Sequence, residues 1–393
     1  FSKPSLEKVD LEKRFTLIGR VGQGSMSKVF RAQDLASGRQ VALKLLDVEK
    51  TRRLEQRFVG LNRPSEGEIA VGLSHRNIVR TFESGISTTD VPFLVMEFVD
   101  GVSLSYLVDM QNQTMKENRL RFMLEFGDAV YYFHKQRWIH RDICPRNVLL
   151  DTNYRIKLID FGLAVPDTEP FRKPGNRTGT VSYMAPELIK RQPTDQRIDI
   201  FSFAASCYEM FTQQLPWDHS GVSLEAMLQH INRPPADIRT LEPSIDDQVA
   251  DIIMKGLALY PNDRWRTMRD MLTELWEARR RLEGAADEGY TFLLDEKQKQ
   301  LDIERARARG EAAARPKTEE EKFSELLSRP LVKAGRSRDD DEYEDVSELI
   351  EDDDEYEDVS AAIAEDDDEI DLDRYFEAQE SRLDDDDDEY EEV

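Results

Sequence analysis

The sequence predicts an α+β chain with a small antiparallel sheet first, a mainly helical unit second, and an acidic carboxy-terminal tail that stays disordered. Three observations carry this reading. Residues 14 to 46 hold three short β-patterned runs separated by glycine-containing turns, residues 116 to 282 hold apolar residues at helical spacing, and the last 57 residues contain 31 Asp or Glu.

The strands are Arg14 to Val21, Lys28 to Asp34 and Gln40 to Leu46, with Ala36-Ser37-Gly38 as the turn between the second and third. Between the first two lies Val21-Gly22-Gln23-Gly24-Ser25-Met26-Ser27-Lys28-Val29, whose small residues let backbone amides come close to phosphate groups. A helix ending at Leu73 starts near Pro64, because proline disfavours a helix running through from upstream. On it Glu66 shares a face with Ile69, Ala70 and Leu73, whereas Glu68 falls off that stripe, so Glu66 is the inward acid. From Lys116 to Gln136 apolar residues recur at Leu120, Met123, Leu124, Ala129, Val130 and Phe133, and further helices are expected near 197 to 211, 246 to 259 and 267 to 282.

Charge is unevenly spread over the 393 residues. Residues 337 to 393 carry a net of −28 against −26 for the whole chain, which leaves the first 336 residues at +2. The tail repeats DDDEYEDVS at Asp339 to Ser347 and Asp352 to Ser360, and ends DDDEYEEV from Asp386. Only 10 of its 57 residues are Leu, Ile, Val or Phe, too few to offset chain entropy, so disorder is expected. The Asp runs lack the glycine that an EF-hand loop needs for its sharp turn, which argues against such a site. Residues 284 to 336 have helix-forming, charged composition without a sustained apolar seam, and read as a solvated linker helix, not a domain. The chain begins with Phe1 rather than Met, so a trimmed amino terminus is expected. Two cysteines, Cys144 and Cys207, and the absence of any 18-residue uncharged apolar run point to a reducing, cytoplasmic setting.

The chemistry is concentrated in His140-Arg141-Asp142-Ile143-Cys144-Pro145-Arg146-Asn147 and Asp160-Phe161-Gly162, which supply carboxylates and an amide 13 residues apart. Magnesium-dependent phosphoryl transfer needs a proton-accepting carboxylate, oxygen ligands for metal and a grip on the nucleotide phosphates. These runs resemble the catalytic and metal loops of the protein kinase family. The resemblance extends to Val41-Ala42-Leu43-Lys44, to His75-Arg76-Asn77-Ile78-Val79, to Gly179 through Glu187, and to Asp199 and Arg264, and covers residues 14 to 283.

What the resemblance implies is a two-lobed kinase fold, with a small lobe at 14 to 95 and a large lobe at 96 to 283, that moves the γ-phosphoryl group of ATP to Ser or Thr of protein substrates. Asp142 would accept the hydroxyl proton, Asn147 and Asp160 would bind Mg²⁺, and Lys44, placed by Glu66, would hold the phosphates. The glycine-containing loop would cover the nucleotide from Val21 to Val29. Ala42 and Met96 would flank adenine, with Glu97, Phe98 and Val99 as the hinge. Glu187 would pair with Arg264, and Asp199 would tie down the catalytic loop.

One departure matters. Ser/Thr members carry lysine two residues after the catalytic Asp, and here that residue is Cys144; Arg146 stands where tyrosine kinases bring an arginine to the same region. Arg146 is therefore the expected replacement cation, and without it the domain would be a weak enzyme or a kinase-shaped scaffold. Cys144, flanked by Arg141 and Arg146, is a candidate reactive thiol, with passive replacement as the plainer reading. Thr at position 180 favours Ser/Thr over tyrosine specificity. Thr178, beside Arg177, is the leading candidate phosphosite and Thr168 the alternative. The acidic tail suits basic protein partners, and no nucleic-acid or membrane partner is expected.

Overall fold

The computed structural model describes residues 8–24, 27–173, 178–217, 233–284 and 289–308. The acidic repeats, and with them the expectation of disorder and of basic partners, lie outside the described residues, as do Ser25, Met26 and Arg177.

Five strands form an antiparallel sheet in the order β1-β2-β3-β5-β4: β1 Phe15–Gly24, β2 Ser27–Asp34, β3 Arg39–Leu46, β4 Thr81–Ile86 and β5 Pro92–Glu97. The first three match the sequence expectation within a few residues. β1 and β2 pair to the tip, with Gly24 opposite Ser27, and β1 is bent by irregularities between Leu17 and Gly19 and between Arg20 and Gly22. β3 is buried from Val41 to Leu46, as expected for a central strand covered on both faces. Its register sets Lys44 between Val29 on one side and Leu94 on the other.

Two helices pack near this sheet, α1 (Val48–Gln56) and α2 (Glu66–Val71). The sequence reading missed α1, whose start is fixed by the Asp47 side chain accepting from the Lys50 N–H. α2 starts after Pro64 as expected. Ser65 and Glu68 form a capping box there, so Glu68 has a structural task at the helix end and Glu66, Ile69 and Ala70 face inward.

The large lobe is helical: α3 (Leu104–Met110), α4 (Gln113–Lys135), α5 (Arg197–Thr212), α6 (Asp247–Gly256) and α7 (Met268–Glu283). α4 begins three residues earlier than the apolar spacing suggests, because Asn112 caps it by accepting from the Met115 N–H. A further sheet of three strands has β6 (Gly101–Ser103), β7 (Val148–Asp151) and β8 (Ile156–Leu158) in that order. Glu187 and Arg264 pair across two bonds of 2.7 and 2.8 Å with both side chains buried, and the guanidinium also lies 4.7 Å from the Phe201 ring centre.

The stretch after residue 284 is helical as expected but not solvated at its start. Helix α8 (Thr291–Ala308) follows α7, and Tyr290 and Phe292 at its amino end are fully buried, so the chain re-enters the large lobe after residue 284. Two isolated aromatics do not make a periodic seam, which is why the pattern was not visible. Among the described residues no helix is long and apolar enough to cross a membrane.

Candidate active site

β3 and α2 bring Lys44 and Glu66 together in the cleft, with Lys44 Nζ 2.7 Å from Glu66 Oε1 and 3.0 Å from Asp160 Oδ1. Burial works against the Lys44 ammonium, but the Asp160 and Glu66 carboxylates outweigh it and hold its pKa above the ordinary lysine value. Desolvation disfavours charge on Asp160 too, yet Lys44 holds that carboxyl below its usual range. Burial raises Glu66, with Asp160 adding to it and Lys44 opposing. One cation between two carboxylates leaves negative charge facing the cleft.

That charge suits a divalent cation. Asp160 Oδ1 takes Lys44 and the Gly162 N–H at 3.2 Å, while its Oδ2 has no donor among the described residues and the side chain is 42% exposed. Asn147 Nδ2 donates to the Asp142 carbonyl at 2.8 Å and to Asp142 Oδ2 at 2.7 Å, which leaves its own Oδ1 as an acceptor. Two oxygen donors beside an excess carboxylate fit Mg²⁺, which ordinarily completes its shell with water and phosphate oxygens. The described residues contain no cage of three or more His, Cys, Asp or Glu side chains.

The catalytic loop is held from beneath by Asp199, which opens α5 and has no exposed surface. Its carboxylate accepts from the His140 N–H at 2.8 Å, the Arg141 N–H at 2.9 Å and His134 Nε2 at 2.8 Å. Burial alone would raise its pKa; the hydrogen bond from His134 and the nearby histidines keep it lowered. The clamp bears on Arg141, whose φ of 68° lies in the left-handed region, which costs a non-glycine residue energy unless its surroundings hold it there; Asp160, at φ 64°, is held instead by Lys44 and the Gly162 N–H.

Asp142 is fully engaged. Its Oδ1 accepts from the Thr180 N–H and from Thr180 Oγ1, both at 2.8 Å, and Arg146 Nη2 donates to Thr180 Oγ1 at 2.9 Å. Arg146 therefore reaches Asp142 through one hydroxyl. The approach of this segment depends on Gly179, at φ +128°, where an added Cβ would lie 2.3 Å from the Arg141 carbonyl oxygen. The role of Thr180 as a bridge was not legible from spacing, since 38 residues separate it from Asp142.

The reactive-thiol expectation for Cys144 is overturned. Burial, reinforced by the nearby Asp142 carboxylate and only partly opposed by Arg146, pushes its pKa up to about 11. The flanking arginines do not rescue it because Arg141 turns into the lobe, where its Nη2 donates to the Phe171 carbonyl at 2.9 Å. Burial lowers the Arg141 pKa to about 10, Asp199 opposing and Arg63 adding to the fall. Arg63, which sequence reasoning missed, donates through Nε to the Ala164 carbonyl at 2.9 Å and through Nη2 to the Gly162 carbonyl. Neither arginine pairs with a carboxylate within salt-bridge distance among the described residues, and both lie by the Phe58 ring, at 5.4 Å for Arg63 and 5.9 Å for Arg141.

Of the remaining candidates, Ala42 lies opposite Met96 in the β3–β5 pairing, and Glu97 Oε1 accepts from Lys157 Nζ at 2.6 Å and the Arg80 N–H at 2.8 Å. The Glu97 side chain thus fixes the end of β5 rather than pointing at a ligand, and Val99 packs against the core. Val21 is exposed and Ser27 buried at the two sides of the β1–β2 hairpin, with Lys28 and Val29 following on β2. Gly22, Gln23 and Gly24 belong to β1. Thr178 is buried with its hydroxyl unpartnered, while Thr168 is exposed. In this conformation a modifying enzyme reaches Thr168 and not Thr178.

The protein kinase domain profile matches residues 15–276. A probable serine/threonine-protein kinase of Streptomyces coelicolor is 29% identical over 67% of this chain and 39% of its own length. Serine/threonine-protein kinase PrkC of Bacillus subtilis is 29% identical over 67% of this chain and 40% of its own, and the probable kinase PknB of Corynebacterium glutamicum 31% identical over 67% and 42%. The chain thus spans about two-fifths of the length of these relatives, from 39% to 42%. With the match covering most of both lobes, the chain belongs to the protein kinase domain family.

Proposed function

We propose that this chain is a protein kinase that transfers the γ-phosphoryl group of ATP to Ser or Thr hydroxyls of protein substrates with Mg²⁺. The observation that carries the reading is the convergence of the Arg146–Thr180–Asp142 chain and the Lys44–Glu66–Asp160 cluster on one cleft. Lys44, set by Glu66, grips the ATP phosphates. Asp142, oriented by Thr180 and Asn147, accepts the proton of the substrate hydroxyl as its oxygen bonds to phosphorus, and the β,γ-bridging oxygen leaves with ADP. Arg146 supplies the positive charge that the family's lysine gives elsewhere. Mg²⁺, when bound by Asp160 and Asn147, neutralises charge on the phosphate oxygens.

Two further parts of the reading rest on less. The unpaired Arg141 and Arg63 suit a phosphate carried on the segment between Asp160 and Glu187, with Thr168 and Thr178 as the candidate residues. The acidic repeats suit basic protein partners by charge alone, and a cytoplasmic site suits two unpaired cysteines.

The decisive test is incubation with labelled ATP, Mg²⁺ and generic protein substrates beside Asp142→Asn and Asp160→Ala, followed by mapping of modified residues. Transfer to Ser and Thr by the parent alone is expected. Equal labelling by the variants, or nucleotide binding without transfer, rejects the reading, the second outcome identifying a scaffold.

A further inference from the structure

The residues after α7 make an anchor that reaches the loop following the Glu66 helix, at His75 and Arg76. Tyr290 and Phe292 stack at 5.7 Å between ring centres, and the amides that open α8 are received by a residue of another helix. Asp128 of α4 has no exposed surface; its Oδ2 accepts from the Thr291 N–H at 2.9 Å and its Oδ1 from the Phe292 N–H at 3.1 Å. A buried carboxylate facing the first amides of a helix satisfies donors that have no partner within it and complements its dipole. α4 and α7 hold the other side, through Tyr131 Oη and Lys135 Nζ to Asp295, each at 2.8 Å, and Arg279 Nη1 to Tyr290 Oη at 2.9 Å.

The same carboxylate meets the small lobe. His75 Nε2 lies 2.7 Å from Thr291 Oγ1 and 3.3 Å from Asp128 Oδ2. His75 Nδ1 accepts from the Asn77 N–H at 3.1 Å, which places the ring proton on Nε2 and directs it at Thr291 and Asp128. The imidazole stacks on Tyr132 at 4.9 Å, and the Arg76 guanidinium stands 5.1 Å over the Tyr290 ring. α2 is capped at Gly72, so only Leu73 and Ser74 separate it from His75. A helix of six residues has little stability of its own and takes its position from what grips its ends.

We propose that residues 290–296 form a strap that positions α2 and hence the Glu66 carboxylate for Lys44, with Asp128 and His75 as positioning residues that touch neither substrate. The working domain then ends beyond the stretch that the family profile matches. The proposal rests on the kinase reading only for what Glu66 does once placed.

The test uses the full chain with Asp128→Asn, which keeps the shape but loses the charge and one acceptor. Hydrogen exchange at the Ile69, Gly72 and Leu73 amides, measured without nucleotide, should quicken by about tenfold while the β3 and β5 amides stay unchanged. Under the same conditions phosphoryl transfer should slow, and Asp128→Asn should add nothing further in a Glu66→Gln background, as expected when two residues act through one contact. If Asp128→Asn does not fold, Thr291→Val, which removes only the hydroxyl facing His75, decides by the same exchange measurement. Faster exchange confined to residues 289–308, or fully additive losses in the double variant, overturns the proposal. A parent chain with no transfer activity would sink the kinase reading and leave the exchange result to judge the strap.

Discussion

Arg146→Ala isolates the feature in which this chain departs from its family. The side chain is exposed and makes one described contact, Nη2 to Thr180 Oγ1 at 2.9 Å, so truncation leaves the loop backbone and the Asp199 clamp in place. What it removes is the one positive charge that reaches Asp142 through a hydroxyl, Thr180 Oγ1 being 2.8 Å from Oδ1. Two unit charges about 4 Å apart interact by roughly 1 kcal/mol in water and about 4 kcal/mol near a protein surface, and the rim of an open cleft lies between. Losing one transition-state contact of this kind typically slows chemistry by about a hundredfold, equivalent to about 2.7 kcal/mol. Partial exposure argues for the lower side, so a fall in kcat of roughly ten- to a hundredfold is expected, with the melting temperature unchanged. The assay is steady-state transfer to a protein substrate with ATP and substrate varied separately. Arg146→Lys should keep part of the rate, and Cys144→Lys should restore part of the loss in Arg146→Ala, since the Cys144 side chain adjoins Thr180 and Asp142. A kcat for Arg146→Ala within twofold of the parent would refute the reasoning and return the cation's role to Lys44 and bound metal.

Glu187→Ala should destabilise the large lobe by about 3 to 5 kcal/mol, because it leaves the buried Arg264 guanidinium without its counter-charge; chemical denaturation checks this, and a loss under 1 kcal/mol would mean the pair is dispensable. Cys144 should resist alkylation in the folded protein at pH 8 and react once it is unfolded. Its folded pKa of about 11 lies above the ordinary 9.0, so its contribution to stability is present below pH 9 and fades as pH rises through about 11; rapid native labelling at pH 8 would contradict this. Thr168, which is exposed, should acquire phosphate before the buried Thr178, and the doubly alanine-substituted protein should be less active; full activity of that protein would exclude both sites.

The candidate site residues could be picked out in the sequence because each sits in a short run whose spacing is fixed by local backbone geometry. Lys44 lies on an apolar strand, Asp142 and Asn147 share one loop, and Glu66 was chosen over Glu68 by helical periodicity alone, a choice that agrees with the Lys44–Glu66 contact. The boundaries of the helices were less legible, since caps such as Asn112 and Asp47 act through single side-chain bonds that leave no periodic trace.

Short motifs and local propensity were enough to suggest the family resemblance, the order of the two lobes and the candidate residues, since these depend on windows a few residues long. Which charges meet was set by the tertiary structure. It carried Arg146 to Asp142 by way of Thr180, buried Cys144 so that its thiol pKa rises, sent Arg141 inward beside Arg63, and returned residues 290–292 to Asp128, 163 residues away from Thr291 in the chain. Burial and long-range hydrogen bonding set these outcomes, and both are properties of chain segments brought together by packing, which no window along the sequence contains.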